Sequence, residues 1–108
     1  MDWDEISRKV EEAVCSLWSG LYPQDSEQRE PNGMDYYRRL EDESARLFGT
    51  GRIEQPVHWI LMECGMYYDI RQDRSFVYRE GDLDLGKVRG LIEFYKRTIV
   101  SVLDQPQV

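Results

Sequence analysis

The chain has 108 residues, of which 41% are hydrophobic and 32% are charged, and its net charge is −7. This length suggests one domain, and the composition is too apolar for a disordered chain and too polar for a membrane protein. Duplex binding depends on clustered Lys and Arg, so the acidic balance argues against a nucleic-acid partner. We therefore expect a single domain over residues 1–108 that binds neither nucleic acid nor membrane.

The N-terminal sequence and the cysteine content predict a cytoplasmic protein. The N-terminus is acidic and lacks the features of a signal peptide, and His58 and Glu63 interrupt the longest apolar stretch. Cys15 and Cys64 are too few for a disulfide framework and are predicted to be buried free thiols. With one histidine in the chain they do not supply the four ligands of a zinc site, so we expect no metal and no other cofactor.

Helix one is predicted from Trp3 to Ser19, because apolar residues recur there at spacings of three and four. Asp2 has the spacing of an N-terminal cap, and Gly20 is expected to end the helix in a left-handed conformation. Residues 21–33 contain two prolines and an Asn-Gly pair and predict a polar connector loop. The predicted core stripe consists of Trp3, Ile6, Val10, Ala13, Val14, Leu17 and Trp18.

Helix two is predicted from Met34 or Asp35 to Phe48, with one apolar and one charged face. Gly49 is expected to cap the end of this helix. The Gly-Thr-Gly sequence here does not predict a phosphate-binding loop, because such a loop precedes a helix and this sequence follows one. The expected core face consists of Tyr37, Leu40, Ser44, Leu47 and Phe48.

Two further helices complete the predicted architecture. Helix three is expected from Gln55 or Pro56 to Asp69, and helix four from Asp84 to Asp104, with Asp82 or Asp84 as its cap. Residues 75–79 have strand-like propensity, which leaves open a short β-hairpin before the last helix. The predicted fold class is all-α, a four-helix bundle-like domain.

Helix three is unusual because its sequence is apolar nearly all round. At 100° per residue, a second apolar side opposite the core stripe holds Trp59, Met62 and Met66, edged by His58 and Glu63. A helix of this kind is buried on more than one side, either as the central element or against another chain. The predicted core stripe is Val57, Ile60, Leu61, Cys64 and Tyr68.

These patterns favour a small acidic protein–protein interaction module, acting as an adaptor, regulator, inhibitor or assembly factor. It would dock through the Trp59, Met62 and Met66 face, either as a homodimer or with another protein that has a basic surface. The alternative is a ligand-binding or enzymatic bundle with an internal aromatic pocket near His58. Because no catalytic motif occurs in the sequence, an enzyme is the less favoured of the two.

Overall fold

The computed structural model of the protein describes residues 2–21, 33–49, 51–69, 76–78 and 81–104. Most of these residues are helical, so the predicted helical class is confirmed. The predicted connector, apart from its two ends, lies outside the described residues. The elements are α1 (Trp3–Leu21), α2 (Gly33–Phe48), α3 (Glu54–Glu63), β1 (Tyr67–Asp69), β2 (Phe76–Tyr78), α4 (Leu85–Phe94) and α5 (Lys96–Asp104).

Helix α1 packs against α2, α3 and α4 and therefore organises the core. Its start is capped as predicted, because the Asp2 Oδ1 atom accepts a hydrogen bond of 2.8 Å from the backbone N–H of Glu5. Trp3 is partly exposed and packs against the core, whereas the rest of the predicted stripe is buried. These buried residues are Ile6, Val10, Ala13, Val14, Leu17 and Trp18.

Gly20 does not end α1, because the helix continues to Leu21. The prediction of a stop at Gly20 is therefore wrong. The guanidinium of Arg39 on α2 lies over this glycine, with Nη1 2.8 Å from the position that a Cβ atom would occupy.

The core face of α2 is as predicted at Leu40, Ser44, Leu47 and Phe48 and differs at one residue, because Tyr36 is buried in place of Tyr37. Tyr36, Leu40 and Ser44 are buried, whereas Tyr37 is 48% exposed. The Ser44 hydroxyl donates to the Leu40 carbonyl oxygen at 2.8 Å, which satisfies it within the core. Gly49, with φ of 68°, ends the helix as predicted.

Helix α3 ends at Glu63, so the prediction of a helix continuing to Asp69 is wrong. Gly65 has φ of 119°, a conformation that favours glycine, and its N–H donates to the Met62 carbonyl oxygen at 3.2 Å. The N–H of Met66 donates to the Leu61 carbonyl oxygen at 3.1 Å. This pair of bonds is a Schellman motif, and it directs Met66 into the core.

Strands β1 and β2 pair in antiparallel orientation, with Tyr68 opposite Val77. Each strand has three residues, and residues 70–75 between them lie outside the described part of the chain. The turn that would complete the hairpin therefore remains a prediction.

The predicted last helix is two helices, separated at Tyr95. Tyr95 has ψ of 9°, far from the value of about −42° that continues an α-helix. The start of α4 is capped as predicted, since the Asp84 Oδ1 atom accepts from the Lys87 N–H at 3.3 Å. Helix α5 packs mainly against α4, and Ile99 is its buried residue. The break places Phe94 at the end of α4, where 75% of its surface is exposed.

Buried residues from α1, α2, α3, α4 and α5 form one hydrophobic cluster. Among the helices that the structure describes, none combines the length and the apolar character that a membrane crossing requires.

The burial of Met66 predicts a large effect of substitution on stability. Met66 is 1% exposed, so Met66→Ala should lower the free energy of unfolding by about 2–5 kcal/mol. Leu85→Ala is the control, because Leu85 is 42% exposed and its loss should change stability by about 0.5 kcal/mol or less. Urea unfolding followed by circular dichroism measures both. Equal effects of the two substitutions would contradict the placement of Met66.

Candidate interaction surface

The five residues predicted to form an interaction face do not form one surface. Trp59 is 36% exposed and Glu63 is exposed, whereas His58 and Met62 are half-buried. Met66 is buried in the core, so its predicted place on an outer face is wrong. The physical reason is the end of α3 at Glu63, beyond which the helical spacing no longer applies.

Trp59 forms part of a cluster of rings at the junction of α3, α4 and α5. Its ring centroid lies 5.5 Å from that of Tyr95, the residue that separates α4 from α5. Tyr95 in turn meets Phe94 edge-on, with centroids 5.0 Å apart. Edge-to-face pairs at this distance are favourable, so the three rings support one another. Phe94 is the most exposed of the large apolar residues that the structure describes.

A second group of rings joins α2 to α3. The Tyr36 hydroxyl and Nδ1 of His58 share a hydrogen bond of 2.7 Å. The ring of Tyr37, which is exposed, lies 6.1 Å from that of His58. Burial raises the pKa of Tyr36 and lowers the pKa of His58, so both groups are held in their neutral forms.

The two groups meet at the neighbouring residues His58 and Trp59. Ring contacts hold each group together, and the backbone of these two residues joins the two groups. We call the two groups together the aromatic strip; it consists of Tyr37, His58, Trp59, Tyr95 and Phe94. Its two ends and its centre are exposed, at Tyr37, Phe94 and Trp59. Exposed aromatic residues that cluster in this way are typical of protein interfaces.

Polar contacts fix the rings at the α4–α5 end of the strip. The Tyr95 hydroxyl donates to Oε2 of Glu63 at 2.5 Å, and this hydrogen bond raises the pKa of Tyr95. Nε1 of Trp3 donates to Oε1 of Glu93 at 2.8 Å, and Nζ of Lys96 lies 5.0 Å from the centroid of the Trp3 ring. Glu63 of α3 therefore holds the Tyr95 ring, and Trp3 of α1 contacts the residues on either side of Phe94 and Tyr95.

An open groove of about 880 Å³ borders the strip at Phe94. Its other lining residues come from the end of α4 and from α5, and they include Arg97 and Val100. The ring of Phe94 can project into a pocket of a partner, and the groove beside it can receive a side chain of that partner. A smaller groove of about 160 Å³ lies between α1 and α2, and His58 lines neither of the two.

Two glutamates lie at the α2–α3 end of the strip. Glu41 follows Tyr37 by one turn of α2, and Glu54 precedes His58 by one turn of α3. Burial raises the pKa of Glu54, and the negative charge of Glu41 raises it further. The Glu54 carboxylate lies over Gly51, where a Cβ atom would be 2.6 Å from Oε1.

Sequence reasoning missed three members of the strip. Tyr37 was predicted on the core face of α2 but is exposed, and Tyr95 packs partly against the core at the junction of α4 and α5. Phe94 gave a clearer signal, because it lies off the apolar stripe of its helix. Cys15 and Cys64 are free as predicted but only partly buried, and burial raises the pKa of each thiol.

Neither metal ligands among the described residues nor similarity to known proteins indicates a function. Within residues 2–21, 33–49, 51–69, 76–78 and 81–104, no group of three or more His, Cys, Asp or Glu side chains could hold a metal ion. No protein-family model matches the chain, and no curated protein and no solved structure matches it either. The geometry of the aromatic strip is therefore the basis for proposing a function.

The neutral state of His58 predicts a dependence of stability on pH. Because burial lowers the pKa of His58 from its ordinary value of 6.5, the unfolded chain binds a proton more readily than the folded chain. His58 therefore contributes fully to the free energy of unfolding above pH 6.5, and this contribution declines as the pH falls below 6.5. Wild type should therefore lose more stability than His58→Gln between about pH 7.5 and about pH 5.5.

Urea unfolding of both proteins at the two pH values provides this measurement, and the titration of the carboxylates cancels in the comparison. Equal losses for wild type and His58→Gln would contradict the buried, neutral state of the imidazole.

Proposed function

We propose that the protein is a small interaction module that binds another protein through the aromatic strip. The observation that carries the proposal is the ring of Phe94, which is 75% exposed, contacts the ring of Tyr95 and borders a groove. Binding energy at interfaces is concentrated in a few large side chains, and aromatic residues are enriched among them. Such a module could act as an adaptor, a regulator, an inhibitor or an assembly factor.

A different protein is a better partner than a second copy of this chain. Each copy carries a net charge of −7, and Glu41, Glu54 and Glu63 lie along the strip. Two copies of the chain would approach each other against the repulsion between their net charges. Like charges that meet across an interface are costly, whereas a basic partner would be attracted by these acidic residues.

The alternative function, a ligand-binding or enzymatic bundle with a pocket at His58, has weaker support. The imidazole is half-buried and shares a hydrogen bond with the hydroxyl of Tyr36. A cytoplasmic location remains part of the proposal, with the two free cysteines as its support, because free thiols are typical of a reducing compartment.

Selection of peptides tests whether the strip is a binding surface. A phage-displayed library of random peptides of about 12 residues is selected on the immobilised wild-type protein. We expect the enriched peptides to bind Phe94→Asp at least about 30-fold more weakly than wild type, as is typical for loss of a central anchor. The substitution should leave the fold intact because Phe94 is exposed.

Leu85→Asp is the matched control, because it also places a carboxylate at an exposed apolar residue of α4. Leu85 precedes Phe94 by about two and a half turns, so the control should bind the peptides as wild type does. Failure to enrich peptides, or equal binding to Phe94→Asp, would contradict the proposed function. If the wild-type protein is a dimer and Phe94→Asp dissociates it, the partner is a second copy of this chain and not a different protein.

A further inference from the structure

The groove beside Phe94 is lined by more cations than anions. Its polar lining residues are Glu93, Lys96, Arg97, Thr98 and Ser101. The exposed ring of Phe94 is part of the same lining, so the groove combines an apolar surface with positive charge. In this respect the groove differs from the protein as a whole, whose net charge is −7.

Two of the charged side chains of the groove contact Trp3 on α1. The Glu93 carboxylate accepts a hydrogen bond of 2.8 Å from Nε1 of Trp3. Nζ of Lys96 lies 5.0 Å from the centroid of the same ring, at a distance typical of a cation–π contact. Both side chains therefore have a partner within the protein.

The third charged side chain, Arg97, is exposed, and within the part of the chain that the structure describes it makes no ion pair and no hydrogen bond. By contrast, Arg46 on α2 binds Glu43 at 2.7 Å. Glu93 precedes Arg97 by one turn, but its carboxylate is bonded to Trp3 and not to the guanidinium. The guanidinium of Arg97 is thus available to a group from a partner.

A carboxylate beside a large apolar side chain fits this groove. Arg forms paired hydrogen bonds with carboxylates, and a Ser hydroxyl can donate a further one. Ser101 follows Arg97 by one turn of α5, so the two donors lie on the same face of the helix. The ring of Phe94 provides an apolar contact in the same groove. A cationic side chain there would instead meet Arg97 and Lys96, and like charges in contact are costly.

The net charge of the protein and the charge of the groove act over different distances. The net charge of −7 governs the approach of a whole protein and favours a basic one. A group inside the groove interacts mainly with the side chains that line it, because salt screens exposed charges that are more than about 8–10 Å away. A partner can therefore be basic overall and still place a carboxylate at Arg97.

We infer that the groove binds a segment of the partner protein that carries an Asp or Glu side chain close to a large apolar one. The carboxylate is bound by Arg97, with Ser101 as a second donor, and the apolar side chain packs against Phe94. This inference rests on the proposed function and specifies the chemistry of its partner. It also assigns Arg97 as the residue that determines the specificity of the groove.

The peptides selected on the wild-type protein also test this inference. We expect the enriched sequences to contain an Asp or Glu at a constant spacing from a large apolar residue. Arg97→Glu should weaken the binding of these peptides about tenfold or more, because an attraction becomes a repulsion.

A reciprocal exchange of charge identifies the contact itself. A peptide whose enriched acidic residue is replaced with Arg should bind the wild-type protein about tenfold more weakly than the unchanged peptide does. The same peptide should bind Arg97→Glu about tenfold more tightly than the unchanged peptide does, since opposite charges meet again.

Lys87→Glu is the matched control, because it makes the same change of charge at another exposed cation, on α4. Lys87 lies roughly 15 Å from Arg97 along the two helices at about 1.5 Å per residue, which exceeds the screening length of about 8 Å at physiological salt. The control should therefore bind the peptides within about twofold of wild type. Circular dichroism and urea unfolding of both variants verify that the fold is retained.

Each outcome separates the inference from the proposed function. Peptides that require Phe94 but bind Arg97→Glu as wild type, or that lack an enriched Asp or Glu, would overturn the inference and leave the docking function standing. An equal loss in Lys87→Glu would likewise overturn it, because the effect would then come from total charge, as would failure of the reciprocal exchange to restore binding. If no peptide requires Phe94, both the function and the inference fail.

Discussion

The end of α3 at Glu63 determines which apolar side chains of the central segment are buried and which reach the surface. The left-handed conformation of Gly65 closes a Schellman motif and directs Met66 into the core. The shortened helix then has its buried side filled by α1 and α2, and it leaves Trp59 facing the α4–α5 junction. The exposed rings are therefore a consequence of how the core is closed.

The break at Tyr95 complements this arrangement from the other side. Tyr95, at the interruption, donates a hydrogen bond to Glu63 and contacts Trp59, whereas Phe94 lies off the apolar stripe of α4 and is exposed. The rings thus come from three helices that are joined by few direct contacts. A surface of this kind can accept a partner without disturbing the main cluster of buried residues, which is centred on α1.

Local sequence signals predicted the parts of the fold that local physics controls. The caps at Asp2 and Asp84 and the glycine stop at Gly49 are set by neighbouring residues, and all three are confirmed. The end of α3 was missed because the apolar spacing continues past Gly65. The choice of Tyr36 over Tyr37 as the buried residue depends on packing between helices, as does the break at Tyr95, which has no proline to mark it.

The central claim is that Phe94 and Trp59 are exposed on the same molecule that buries Met66. Paramagnetic relaxation by a soluble gadolinium chelate measures this directly, because it broadens NMR signals according to their distance from solvent. The account predicts strong broadening of the ring protons of Phe94, intermediate broadening for Trp59 and little for the Met66 methyl group. Protection of the Phe94 and Trp59 rings to the level of Met66 would contradict it.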